Sequence, residues 1–232
     1  MLLTRKSVEL LAPAGTWDAL EAAVESGADA VYLGGKHFNM RMHRGDTNFD
    51  DAMLKKAIAY THAHDVRLYI TLNNLISDEE IPALKAYLAY LNEIQPDAIL
   101  VQDFAVLELV HEMNIQIPLH TSVMMNTHNE HAINKLKEYG ITRIVVGREM
   151  TLSELSLFRE RTGIEVEYFM HGDMCMSESG QCIHSGVVFG QSGNRGRCLK
   201  PCRWAYKLID EKTHAVLDAE GPGPYKLALK DM

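Results

Sequence analysis

Short β-branched or apolar stretches alternate with amphipathic ones along the first 172 residues, and this rhythm constrains the fold more than any other feature of the chain. The first stretch reads Val8-Glu9-Leu10-Leu11-Ala12-Pro13-Ala14-Gly15. A helical segment follows over residues 17–26, with Thr16 placed to cap its start and Gly27 to stop it. Further strands are expected over residues 30–34, 67–72, 98–101, 118–123, 143–146 and 165–170. Helices are expected between them over residues 51–64, 79–94, 105–113, 130–139 and 153–161. Strands separated by helices of this length pair in parallel through right-handed crossovers. Seven strands, the first six each followed by a helix, predict an α/β fold, a (β/α)8 TIM-barrel-like domain with seven visible βα units. An open doubly wound sheet is the alternative, but no Gly-x-Gly-x-x-Gly turn follows the first strand.

After Gly172 the alternation stops. A Gly-, Ser- and Cys-rich stretch runs to about Cys202. A hairpin is expected next over residues 204–209 and 215–217, then the turn Gly221-Pro222-Gly223-Pro224 and a strand-like stretch over residues 225–229. The expected division is a βα-barrel domain over residues 1–172 and a Cys-rich segment with the start of barrel closure over residues 173–232. With no eighth unit in view, the expectation is either a fragment of a longer protein or a barrel completed in an unusual way.

At 232 residues, with 47% hydrophobic and 23% charged side chains, the chain can bury a sizeable core, which excludes disordered and fibrous classes. No apolar run approaches the roughly 18 residues of a membrane span, and the first residues carry no leader-like apolar region. The expectation is a cytoplasmic protein without a membrane partner. A net charge of −8 argues against nucleic-acid binding over the whole surface. Between Gly193 and Lys207, however, five basic residues (Arg195, Arg197, Lys200, Arg203 and Lys207) occur with no acidic one. The run is either solvated surface or a local polyanion patch.

All four cysteines, Cys175, Cys182, Cys198 and Cys202, fall within 28 residues. In a chain without a leader, such clustering favours metal or redox chemistry over disulfides. The spacing Cys-x6-Cys-x15-Cys-x3-Cys matches structural zinc only in its second pair. An iron–sulfur cluster tolerates looser spacing where loops converge; zinc and plain buried thiols remain the alternatives. Barrel enzymes gather their working groups where strands end. Those positions here hold Asn73 and Asn74, Gln102 and Asp103, His120, Thr121, Ser122 and Asn126, Arg148 and Glu149, and His171. Ordinary caps and structural histidines would explain many of them. Neither His-Glu-x-x-His nor Gly-x-Ser-x-Gly nor a phosphate-binding Gly-x-x-x-x-Gly-Lys loop is present.

The segment Glu167-Tyr168-Phe169-Met170-His171-Gly172-Asp173-Met174-Cys175, followed after four residues by Gly180-Gln181-Cys182-Ile183-His184-Ser185, resembles the signature of the U32 peptidase family, the collagenase-like proteins. It departs from that signature at Asp173 and His184. Further agreement lies in Leu11-Ala12-Pro13-Ala14-Gly15, Gly27-Ala28-Asp29-Ala30-Val31-Tyr32-Leu33-Gly34, Thr71-Leu72-Asn73, Val101-Gln102-Asp103, Arg148-Glu149, Asn194-Arg195-Gly196 and Pro201-Cys202-Arg203. The resemblance covers essentially the whole chain. It implies one of two activities: collagenase-like proteolysis, or oxygen-independent hydroxylation of RNA or a quinone precursor with a 4Fe–4S cluster and prephenate as hydroxyl donor. Clustered thiols and the absence of a protease constellation side with hydroxylation, and a tRNA wobble uridine is the expected target. A zinc-stapled accessory subunit that pairs with a homologous partner is the second alternative.

On this reading Cys175, Cys182, Cys198 and Cys202 hold the cluster. The resemblance also allows a fourth ligand after a Lys-Asp-Leu-like motif, here Lys230-Asp231-Met232. His120, His171 and Glu149 are the candidates for proton transfer. Asn73, Arg148, Arg195, Arg197, Lys200 and Arg203 are the candidates for substrate binding.

Overall fold

The computed structural model describes residues 8–172, 175–206, 209–216 and 225–226. Seven strands form one parallel sheet in sequence order: β1 (Leu11–Pro13), β2 (Ala30–Gly34), β3 (Arg67–Leu72), β4 (Ala98–Val101), β5 (Leu119–Thr121), β6 (Ile141–Val145) and β7 (Glu165–Glu167). Six helices alternate with them: α1 (Trp17–Glu25), α2 (Asp51–His62), α3 (Ile81–Ile94), α4 (Phe104–Glu112), α5 (Glu130–Glu138) and α6 (Leu152–Thr162). Local chemistry sets the helix starts. Thr16, Asp50, Asp103 and Asn129 each accept a backbone N–H of the first turn, and Thr151 with Glu154 forms a capping box. Asp103, one of the polar strand-end residues, is therefore a cap; it also accepts the Ile76 N–H at 2.8 Å.

The strands are apolar on both faces. Every residue of β4 is buried, as in a parallel sheet covered by helices. One core lies between the sheet and the helices and includes Leu20, Leu33, Leu54, Ile70, Leu88 and Ile144. A second, smaller one gathers Ala30, Tyr69, Ala98, Leu100 and Val145, with Leu11, Tyr32, Val123 and Phe169 packed against it. Period-2 alternation assigns this second set to the opposite face of the same strands, the lumen of a barrel.

Ion pairs across that lumen show that the sheet curls. Laid flat, β1 and β6 would stand about 24 Å apart, at roughly 4.8 Å per strand. Yet Arg143 of β6 donates to Glu9, two residues ahead of β1, at 2.6 Å, and Tyr69 of β3 donates to the same carboxylate at 2.9 Å. The chain is thus TIM-barrel-like, a curled seven-stranded partial barrel. Among the described residues no strand joins β7 back to β1.

Two boundaries moved from expectation for physical reasons. β1 is shorter at its start, where the Leu10 N–H donates to the Asp29 carboxylate at 2.8 Å and not to a neighbouring strand. β7 ends at Glu167, where the chain leaves the ladder toward the cysteines. The Cys-rich stretch also contains a short helix the sequence did not suggest, α7 (His184–Phe189), stopped by Gly190 in the left-handed region. β8 (Ala205–Tyr206) pairs antiparallel with β9 (Tyr225–Lys226), while the expected hairpin partner 215–217 contributes one bridge, Ile209 to Val216. The Gly221–Pro224 turn, Leu217, Asp173, Lys207 and the Lys230-Asp231-Met232 motif lie outside the described residues.

Candidate functional site

The Cys-rich segment lies across the loops that follow β2, β3, β5 and β6. Its glycines make the close approaches. Gly180 is at φ +78° and has no room for a side chain, since a Cβ there would stand 2.3 Å from the Met124 carbonyl oxygen. Gly196, at φ +75°, rests against the backbone of Asn39 and Met40. Asn194 donates to the Gly180 carbonyl at 2.8 Å, and its own carbonyl accepts the Leu75 N–H at 3.3 Å.

Arg195 completes the dock. It donates to the Leu75 carbonyl at 2.9 Å and makes a two-pronged pair with Glu80 at 2.8 and 2.9 Å. That guanidinium holds the Glu80 carboxyl well below its usual range, at about 2. Arg195, expected to bind substrate, thus fastens the segment to the β3–α3 connection. Arg197 Nε stands 3.0 Å from His43 Nε2, and Lys200 and Arg203 also have partners within the fold. These four residues of the basic run are engaged in the structure rather than standing as bare cations.

All four thiols are free; three are exposed and Cys202 is half-buried. Burial pushes the Cys202 thiol up, Arg203 offsets it in part, and the neighbouring Cys198, Cys175 and Cys182 thiols push it further up. The other three sulfurs therefore each lie within electrostatic reach of Cys202. Gly193 lies between the Cys182 and Cys198 segments, with the Cys182 carbonyl oxygen and the Cys198 Cβ each under 4 Å from where its side chain would start. Donors surround the sulfurs. The Lys200 N–H is 3.4 Å from Cys198 Sγ, Ser185 Oγ is 4.0 Å from it, and Arg148 Nη1 is 4.0 Å from Cys175 Sγ. Among the described residues no three His, Cys, Asp or Glu side chains stand as ligands to one ion. The thiols share one neighbourhood rather than one point.

Beside Cys175 lies a cleft of about 250 Å³ lined by Arg148, Glu149, Cys175 and Met176 to Ser179. The Arg148 guanidinium sits 4.3 Å over the Phe169 ring, a cation–π contact that aims it toward the cysteines. Glu149 is clamped. His128 Nε2 approaches it at 2.7 Å, and the Ser179 N–H and hydroxyl donate to it at 3.4 Å each. Partial burial pushes the Glu149 carboxyl up, but bonds from its own backbone N–H, from His128 and from Ser179 outweigh this and hold it below the usual range. It is a fixed anion, and Gly147 leaves the space into which it folds.

The remaining candidates separate. Asn73 bridges loops, accepting the Met40 N–H at 3.2 Å and donating to Ser122 Oγ at 3.1 Å. His171 is exposed beyond β7. His120 is not at the mouth at all: it is buried in the lumen, edge-on to Tyr69 at 4.9 Å. Burial, helped by Arg143 and Arg67, lowers its pKa to about 3, so at neutral pH it is an uncharged ring with Nδ1 unpartnered. The sequence reading did not single out the His128–Glu149–Ser179 clamp. It also passed over the charged lumen residues Glu9, Arg67, Arg143, Glu165 and Glu167. Charged residues inside otherwise apolar parallel strands are the signal that marks the second group.

Residues 15–232 match Peptidase family U32. The chain belongs to that family. It is 32% identical over 229 residues to the tRNA hydroxylation protein P1 of Bacillus subtilis, covering 98% of this chain and 54% of that protein. It is also 29% identical over 235 residues to the collagenase of Porphyromonas gingivalis, covering 97% of this chain and 55% of the other. The chain thus spans about half the length of the curated relatives it matches. In structure it is similar to the U32 peptidase Mk0906, with a TM-score of 0.57 at 15% identity over 72% of each chain. That likeness confirms the barrel. No helix among the described residues is long and apolar enough to cross a membrane.

Proposed function

We propose that this U32 chain is the barrel part of a cytoplasmic RNA hydroxylase that carries a 4Fe–4S cluster on Cys175, Cys182, Cys198 and Cys202. The observation that carries the reading is the gathering of four free thiols, each within the field of Cys202, over the strand ends of a barrel and beside the Arg148 cleft. A donor set made wholly of thiols, ringed by N–H and O–H donors, suits a cluster that takes one thiolate per iron. Relatives named for tRNA hydroxylation support the substrate class.

When bound, the cluster supplies one-electron chemistry. The chain's own residues supply the rest. Arg148, aimed by Phe169, neutralises an anionic group in the cleft; prephenate, the hydroxyl donor the family resemblance implies, carries carboxylates that suit a guanidinium. Glu149 stays ionised and rigid through His128 and Ser179, positioning the loop that carries Cys175. His171 is left as the exposed imidazole near the mouth, and tRNA is the expected partner above it.

The peptidase reading needs a nucleophile on a base or a catalytic metal. Ser179 instead donates to a carboxylate, and His128 turns its two ring nitrogens to Glu149 and the Asn126 carbonyl. Iron and acid-labile sulfide analysis of anaerobically purified protein tests the proposal. About four of each per chain, with a broad band near 400 nm that bleaches on reduction, is expected. Zinc, or no metal, in that preparation would sink it.

A further inference from the structure

Three aromatic rings adjoin on the outer surface of the Cys-rich segment. His184 opens α7 and Phe189 closes it, and their rings lie 6.5 Å apart at 28°. Trp204 follows the single turn Pro201–Arg203, and its ring stands 5.2 Å from that of Phe189. All three side chains are exposed, Phe189 at 38% and Trp204 at 43%. Neither Phe189 nor Trp204 belongs to the cores of the barrel, so two large rings face solvent side by side. Val188, one helical turn from His184, and Leu199 extend the apolar area.

The rings are held in place from below. Ser185, the buried residue of α7, accepts the Leu199 N–H on its hydroxyl at 3.1 Å. The Trp204 N–H donates to the carbonyl of the buried Pro201 at 3.0 Å. The first tie joins α7 to the stretch that carries Cys198, Cys202 and Trp204, so the ring surface is built before any ligand arrives. It also adjoins the candidate site: His184 and Trp204 each lie two residues beyond a cysteine, Cys182 and Cys202.

Charge narrows the ligand. Residues 175–206 carry Arg195, Arg197, Lys200 and Arg203 against one acid, Glu178, in a chain whose net charge is −8. Glu80 neutralises Arg195, but the contact of Arg197 is His43, which brings no negative charge, and both Arg197 and Lys200 are exposed. A purely apolar partner would leave these cations unmatched, whereas a polyanion with open base faces engages both them and the rings. A paired duplex offers phosphates but keeps its base faces stacked.

We propose that His184, Phe189 and Trp204 form a stacking platform for the unpaired bases of an RNA loop, which brings that loop to the thiols and the Arg148 cleft. The inference rests on the hydroxylase reading for its class of nucleic acid, and its test reads binding rather than turnover.

The probe is a fluorescent tRNA anticodon stem-loop, set against a fully paired RNA duplex of equal length and titrated with the full-length protein by anisotropy. Trp204→Leu and Phe189→Leu keep apolar bulk but remove the π face. Each is expected to weaken stem-loop binding about tenfold or more, the effect of losing a base stack, with duplex binding within about twofold. The salt dependence should be unchanged, since no phosphate contact is lost. Trp204→Phe is expected to restore most of the affinity. Hydroxyl-radical footprinting should label Phe189 and Trp204 in the free parent and protect both when the stem-loop is bound. Leucine variants that bind the stem-loop within about twofold of the parent overturn the proposal, as do an equal loss for loop and duplex and a parent that does not prefer the loop. Rings already shielded in the free parent also overturn it, because the rest of the longer protein or a second copy then covers them. Should both leucine variants misfold, the parent's footprint decides. Missing iron in a parent that still binds the stem-loop through its rings sinks the hydroxylase reading alone. Hydroxylated tRNA with unaffected leucine variants sinks the platform alone.

Discussion

The two ends of this barrel hold polar side chains in opposite ways. At the base, charges sit on strands, and their partners lie far apart in sequence: Arg143 and Glu9 are 134 positions apart and meet at 2.6 Å. At the mouth, the cysteines sit on loops, three of the four are exposed, and large apolar side chains such as Met170, Ile183 and Val187 stand well over half exposed around them. The base is fixed by the fold itself, whereas the mouth is fixed by a few glycine approaches, one ion pair and a handful of hydrogen bonds between loops. The difference separates polar groups that hold the barrel from polar groups left open to a ligand.

Removing the strut is the severest way to test the contrast. Arg143→Met leaves the buried Glu167 without its cation and Glu9 with Arg67 alone, and breaking a buried pair in this way costs about 3–5 kcal/mol. For a chain of this size that is a fall in Tm on the order of 10 °C by circular dichroism. A loss under about 1 kcal/mol would show that the base is no strut. Glu167→Gln acts in the opposite direction. A carboxyl whose folded pKa is about 7, above its ordinary value of 4.5, weakens the fold as pH rises between those values, and the full loss is present above 7. The variant is therefore expected to match the parent near pH 4 and to exceed it at pH 8 by about 2–3 kcal/mol in urea unfolding.

The barrel was readable because its signal is periodic. Seven strands and six helices stand where alternation and cap residues put them, within a few residues. The lumen network was not, because it depends on curvature that brings β1, β3 and β6 together. His120 shows this best: it ends an apolar stretch as a catalytic imidazole would, but the side of the strand it occupies faces Tyr69 and not the mouth. Arg195 misleads in the other direction. A basic residue in a Gly-rich run reads as a phosphate ligand until the fold delivers Glu80, 115 positions earlier, to its guanidinium. The cysteines needed only their clustering to stand out, but the donors to their sulfurs come from loops whose meeting no spacing predicts.

Gly180→Ala tests the mouth alone. The substitution forces a side chain into the left-handed region and against the Met124 carbonyl, at a cost of about 2 kcal/mol to the docking of the segment. The expected result is faster proteolysis between residues 175 and 202 and reduced iron retention, with the barrel's Tm nearly unchanged. A Tm fall as large as that of Arg143→Met would mean the two ends melt as one.

The smallest effect belongs to the tie between the regions. Glu80 and Arg195 are both partly open to solvent, so their pair contributes only about 1 kcal/mol. Because the Glu80 carboxyl is held at about 2, below its ordinary value of 4.5, that contribution is complete above about pH 4.5 and fades as pH falls toward 2. Glu80→Gln should loosen the segment at pH 7, seen as faster proteolysis after Gly172 and a modest drop in iron retention, and the difference in proteolysis from the parent should shrink at pH 3 with an acid-active protease. A difference that persists at pH 3 would mean that Glu80 acts through its capping bonds to Ser77 and not through Arg195. The mouth would then hang from the barrel by its glycine approaches and the loop hydrogen bonds of Asn194, Arg195 and Ser179.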